Sequence, residues 1–190
     1  MSILNEVETT LKNGDKILQL KEVQENLIFY ILIPGVTRVV TNQNLPNLLQ
    51  NALDKTIFPR LSKYKNREIV SVDCHAFTRG DAYGFMVALA KKVAEVPDLI
   101  LVIENISDIY SDPLCEDPLY VENLLGHSWK NEVVYFDDKR IDRSKMTVIL
   151  TCTPDHKDVL GIKYRTDGFA WIESLDEELE DLDNQIKKLG

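Results

Sequence analysis

An α/β fold, with a mostly parallel central sheet covered by helices on both faces, is predicted by three observations. Continuous apolar, β-rich runs recur along the chain, namely LIFYILI (27–33), EIVSVDC (68–74), LILVIENI (99–106) and MTVILTCT (146–153). Such runs suit strands buried on both sides. Stretches with apolar residues at helical spacing separate them, and strand–helix alternation implies parallel strands joined by right-handed crossovers. No repeat, low-complexity linker or internal boundary interrupts the 190 residues, so the reading is one domain spanning 1–190.

In chain order, Ile3, Leu4, Val7 and Leu11 predict a helix over 3–12 that stops at Asn13-Gly14. A short strand over 16–20 and a buried strand over 27–33 follow, the latter ended by Pro34-Gly35. Leu48, Leu49, Ala52, Leu53, Ile57 and Leu61 line one face of a helix from Leu45 to about Lys63. Asn44 is its cap, Pro46 lies in its first turn, and Pro59 marks a kink or early end. A strand over 68–74 leads to a helix over 81–96, with Phe85, Val87, Ala88, Leu89 and Val93 available to the core and Pro97 closing it. The third buried strand is 99–106. A short helix near 120–125, a hairpin turning at Asp137-Asp138, a strand over 146–153 and a last strand over 169–174 complete the sheet.

The tail is a separate signal. Ile172, Leu175, Leu179, Leu182, Ile186 and Leu189 recur at alternating spacings of 3 and 4, with acidic residues between them. This predicts an amphipathic acidic helix over 174–189. Isolated helices of about 12–15 residues are marginal in water, so the stripe of Leu175, Leu179, Leu182 and Ile186 must be buried on something. Packing onto the chain's own domain is favoured over a partner helix or a second copy.

Composition excludes several functions. Lys and Arg total 22 against 31 Asp and Glu, a net charge of −9 that argues against direct nucleic-acid contact. The one dense basic cluster, Arg60, Lys63, Lys65 and Arg67, reads as a solvated helix end. Cys74, Cys115 and Cys152 have neither disulfide nor zinc spacing, and His127 and His156 have no companion at metal-ligand spacing, so no metal is expected. No run spans a membrane and the N-terminus has no secretory pattern, which makes a cytoplasmic location the expectation. Cys74 and His75 are neighbours on a strand and point to opposite faces, against a nucleophile–base pair.

In parallel sheets, ligands sit beyond the carboxyl ends of the strands. That rule places Pro34-Gly35, Asp73-Cys74-His75, Glu104-Asn105 and Thr151-Cys152-Thr153 on one edge. The element order, with PGVTRVVTNQ after the first strand and RIDRSKMTVILTCTPD near the end, resembles a P-loop NTPase core of the AAA+ superfamily. RIDRSKMTVILTCTPD is similar to the segment that leads into the sensor 1 corner of the Clp and Lon branch, and YVENLLGHSWKNE is similar to the helix before it there. The resemblance covers about residues 25–174 and implies a P-loop NTPase-like sheet.

Each nucleotide-handling motif departs from that family. In PGVTRVVTNQ, Gly35 and Thr41 match the start and the hydroxyl of a phosphate loop, but Val39 and Val40 stand where a glycine and the lysine belong. Arg38 offers a cation from another place. In ILVIENI, Glu104 takes the metal position and Asn105 the base position, where an amide accepts no proton. Cys152 replaces the sensor amide, and no helical lid follows. Arg165 falls where an inter-subunit arginine would lie. The resemblance therefore implies a non-catalytic domain without cofactor, acting as a protein-interaction or structural subunit beside active ATPases or with other copies of itself. Two alternatives remain at this point: an ATP and magnesium binder or ATPase with a non-standard site, and an inactive clamp-loader-like replication accessory.

Overall fold

A computed structural model describes residues 3–75, 77–156 and 171–190, with side chains described from residue 13 onward. Five strands, β1 (Gly35–Val40), β2 (Ile69–Asp73), β3 (Ile100–Glu104), β6 (Thr147–Cys152) and β7 (Trp171–Ile172), form one sheet in the order β2-β3-β6-β1-β7. Every pairing is parallel. The helices are α1 (Ile3–Leu32), α2 (Leu45–Lys55), α3 (Pro59–Ser62), α4 (Arg79–Glu95), α5 (Pro118–Leu125) and α6 (Leu175–Leu189). An antiparallel hairpin of β4 (Val133–Phe136) and β5 (Lys139–Asp142) stands apart from the sheet.

Strand alternation divides the interior into two layers. Val40, Leu101, Ile103, Val148 and Leu150 face α4, α5 and Trp129. Val39, Ile100, Val102 and Ile149 face α1, α2 and α6. The prediction of an α/β fold with a parallel sheet between helices holds. The connection from β1 to β2 crosses the sheet on the α2 side, and the return from β2 to β3 runs on the α4 side. Opposite directions on opposite faces are what one crossover hand requires.

The first third of the chain differs from the prediction. The segment 16–20 and residues 27–32 of the segment 27–33 are helical, and the helix continues through Asn13-Gly14 as part of α1. A continuous apolar run does not distinguish a buried strand from a buried helix end. Ile28, Ile31 and Leu32 are buried whereas Tyr30 and Ile33 are exposed, which is a helical period. One interior glycine costs a helix only about 1 kcal/mol. The true first strand is GVTRVV, the stretch read as a phosphate loop. It fits a central strand because it is β-branched and has a parallel neighbour on each side.

Other boundaries lie close to expectation. Asn44 caps α2, its side chain accepting from Asn47 N at 3.1 Å. Pro59 ends the longer predicted helix by starting α3, leaving Ile57 exposed between them. Ala88 is exposed, and Met86 and Ala90 take the core positions on α4. The hairpin turns at Asp137 (φ 47°) and Asp138 (φ 62°), the two left-handed positions of a type I′ turn. No helix among the described residues is long and apolar enough to cross a membrane.

The α6 stripe is covered from within. Leu175, Leu179 and Leu182 are buried and Ile186 is half-buried, with α6 lying along α1. Gln24 on α1 donates to Asp183 at 2.6 Å across this seam. The predicted stripe therefore packs within the chain.

Candidate functional site

The chain leaves β1 toward β2 at one edge and leaves β6 toward β7 at the other, so the carboxyl ends of neighbouring β1 and β6 form the switch point of the sheet. Only Thr41 to Asn44 connect β1 to α2, and none is glycine. None has the positive φ of a phosphate nest. Four donors of this turn, the backbone N–H groups of Thr41 to Gln43 and the Thr41 hydroxyl, are met from within the chain. Thr41 N donates to Cys152 O at 2.9 Å, and Gln43 N to Thr41 Oγ1 at 3.0 Å. Asn42 N donates to Asp176 Oδ2 at 2.8 Å, and Thr41 Oγ1 to Asp176 Oδ1 at 2.5 Å. Asp176 belongs to the first turn of α6, so a carboxylate from the tail helix lies against the turn in the manner of an anion.

The sequence-predicted residues divide into two groups. Gly35 opens β1 opposite Thr147, at the amino edge. This corrects the placement of Pro34-Gly35 on the carboxyl edge, because β1 is one element later in the chain than expected. Arg38 lies mid-strand between Leu150 and Trp171 and is 2% exposed. Its guanidinium is 5.4 Å from the Trp171 ring centroid, and Nη2 donates to Gly126 O at 3.4 Å. Val39 and Val40 are buried, one on each face of the sheet. Arg165 lies outside the described residues.

Thr41, Glu104, Asn105 and Cys152 do come together at the carboxyl edge. Asn105 adopts a left-handed conformation (φ 55°), a region Asn tolerates better than most residues. Its N–H donates to Thr151 Oγ1 at 3.1 Å and its side-chain amide to Asp73 Oδ1 at 3.2 Å. Asp73 also receives His75 N at 3.0 Å. Asn105 is thus held as a brace between strand ends. Cys152 is fully buried at the end of β6.

Burial, and then the nearby Asp73, push the Glu104 carboxyl above its ordinary value of 4.5. The folded state then binds that proton more tightly than the unfolded chain, and stability falls as pH rises from about 4.5 through the raised folded value. Glu104→Gln is expected to melt above the wild type at neutral pH, with the gap closing on acidification through that window. Thermal melts across the window test this, and a gap that widens toward acid contradicts it.

Sequence reading missed three interactions. Asp108 joins the loops after β2, β3 and β6, with His156 Nδ1 3.1 Å from Oδ1 and His75 Nδ1 3.8 Å from Oδ2. Thr153 Oγ1 is 3.3 Å from that same His156 Nδ1. A nucleophile–base–acid relay needs a different imidazole nitrogen for each partner, so these contacts make no triad. Among the described residues no cluster of His, Cys, Asp and Glu forms a metal-holding group. Burial, followed by the carboxylates of Asp73, Asp108 and Glu104, raises the Cys74 thiol far above its ordinary value, which removes a thiolate from consideration. The second missed contact is Asp176, whose position near a helix start already suited the dipole. The third is Arg67, expected in a solvated cluster and found instead binding backbone carbonyls at the amino edge.

Compared with known proteins, the chain matches no family model and no curated relative.

Proposed function

We propose that this chain is a non-catalytic AAA+-like domain that acts as a protein-interaction or structural subunit of a cytoplasmic, ATPase-containing assembly. The observation that carries the reading is the Asp176 carboxylate bonded to Thr41 Oγ1 and Asn42 N, at the turn where a P-loop protein would meet its phosphates. A sheet whose first strand lies inside it, beside the last core strands, fits the P-loop-like architecture that the sequence resemblance implies. Asn105 as a brace and Cys152 as a buried thiol are consistent with lost water activation. The ATP-binding alternative draws no support from Arg38, whose guanidinium is buried at mid-strand while Thr41 is at the strand end.

Isothermal titration with Mg-ATP tests the proposal. No saturable heat is expected from the wild type. Micromolar binding that disappears in Glu104→Ala would contradict a non-catalytic role and favour the nucleotide-binding alternative.

A further inference from the structure

A groove of about 960 Å³ opens between α1 and α6 on one side and α2 and α3 on the other. That volume lies in the range of small-molecule sites, roughly 300–1,000 Å³. Ile28, Leu61 and Leu179 form buried parts of its apolar lining, and Leu48 and Ala52 are half-buried there. Ile57, 73% exposed, extends the apolar surface.

The charged lining has two parts, beside the neutral polar Gln24, Asn42, Gln43, Thr56 and Asn184. At the margin, Lys21, Lys55 and Lys187 are balanced by Asp176, Glu180 and Asp183, so the formal charges cancel. Solvent screens what remains. The other part is Glu25, which is 6% exposed and lines the groove. Thr56 Oγ1 donates to its Oε1 at 3.0 Å and Leu61 N donates to the same oxygen at 3.1 Å. Among the described residues Oε2 receives no hydrogen bond. A largely buried carboxylate held through one oxygen, with the other free of hydrogen bonds among the described residues, on a groove of mixed polar and apolar lining, is complementary to a cationic donor.

We propose that this groove is a binding site for small amphipathic amines, with the ammonium group donating to Glu25 Oε2 and the aliphatic body lying along Ile28, Leu48 and Ile57. The site rests on Glu25 and not on the AAA+-like reading, although Asn42 and Asp176, whose contact carries that reading, also line the groove.

The test is a methyl and amide NMR titration of the full chain with n-hexylamine, hexan-1-ol and hexanoate at neutral pH. Hexylammonium is expected to shift the Ile28, Leu48 and Ile57 methyls saturably, binding about tenfold more tightly than hexanol, with hexanoate weakest. Glu25→Gln retains an oxygen for Thr56 and Leu61 and presents an NH₂ group in place of Oε2. It is expected to lose the preference for the amine while keeping the hexanol shifts, which also shows that the groove remains folded. Lys55→Gln is expected to keep the preference. Hexanoate binding as tightly as hexylammonium, an amine preference that survives Glu25→Gln, or no saturable shift of the groove methyls with any of the three ligands would overturn the proposal.

Discussion

Replacing Trp129 with alanine is expected to destabilise the protein by about 3–5 kcal/mol, the range for removing a fully buried aromatic side chain from a core. Trp129 is 0% exposed and belongs to the layer containing α4, α5 and the alternate residues of β3 and β6. Its indole N–H donates to Leu125 O at 2.6 Å, closing the chain back onto the end of α5. Truncation therefore opens a large cavity and removes the donor from a buried carbonyl. Total stabilities are about 5–15 kcal/mol, so the variant should unfold at much lower urea concentration or fail to accumulate. Trp129→Phe keeps most of the volume and should lose much less. A shift below about 1 kcal/mol in Trp129→Ala would contradict the assigned packing.

Arg67→Ala is expected to cost about 3 kcal/mol, because one guanidinium serves several backbone carbonyls at the amino edge of the sheet. Nη2 donates to Leu99 O at 3.3 Å and Lys145 O at 3.2 Å, Nη1 to Leu32 O at 3.4 Å, and Nε to Asp98 O. These acceptors belong to the end of α1, the entry to β3 and the turn before β6. The guanidinium also lies 5.0 Å from the Tyr64 ring centroid. Burial lowers the Arg67 pKa from its ordinary value while leaving it a cation at neutral pH. Arg67→Lys supplies one compact donor in place of a planar fork and should recover less than half of the loss. Urea unfolding of the wild type and both variants gives the values, and equal stability of Arg67→Lys and wild type would contradict the fork geometry.

The sheet was readable in the sequence wherever burial on both faces produced an apolar run of strand length, as at β3 and β6. LIFYILI had the same composition for another reason: it is the buried end of α1, with Ile28, Ile31 and Leu32 inside and Tyr30 outside. That ambiguity displaced the first strand by one element, taking Gly35 and Arg38 into the expected edge site. Glu104, Asn105 and Cys152 were placed at the carboxyl edge by the geometry of parallel sheets, whereas Thr41 was singled out only by its likeness to a phosphate-loop hydroxyl. The Asp176 contact with Thr41 was not readable, since it joins residues 135 positions apart through one carboxylate in a run of acidic residues. Arg67 gave no signal either, because its acceptors are backbone carbonyls that any sequence supplies. Asp108 with His75 and His156 depends on three loops that only the folded sheet brings together.

The β1–α2 turn is bonded by the protein's own Asp176 carboxylate, and the proposed function requires that it take no nucleotide. The most direct measurement is the backbone amide resonance of Asn42, whose N–H donates to Asp176 Oδ2, followed in a ¹⁵N-labelled sample during Mg-ATP titration. The resonance should stay at its starting position to millimolar nucleotide. A saturable shift of the Asn42 amide in the micromolar range would show the turn exchanging Asp176 for phosphate and would contradict the account.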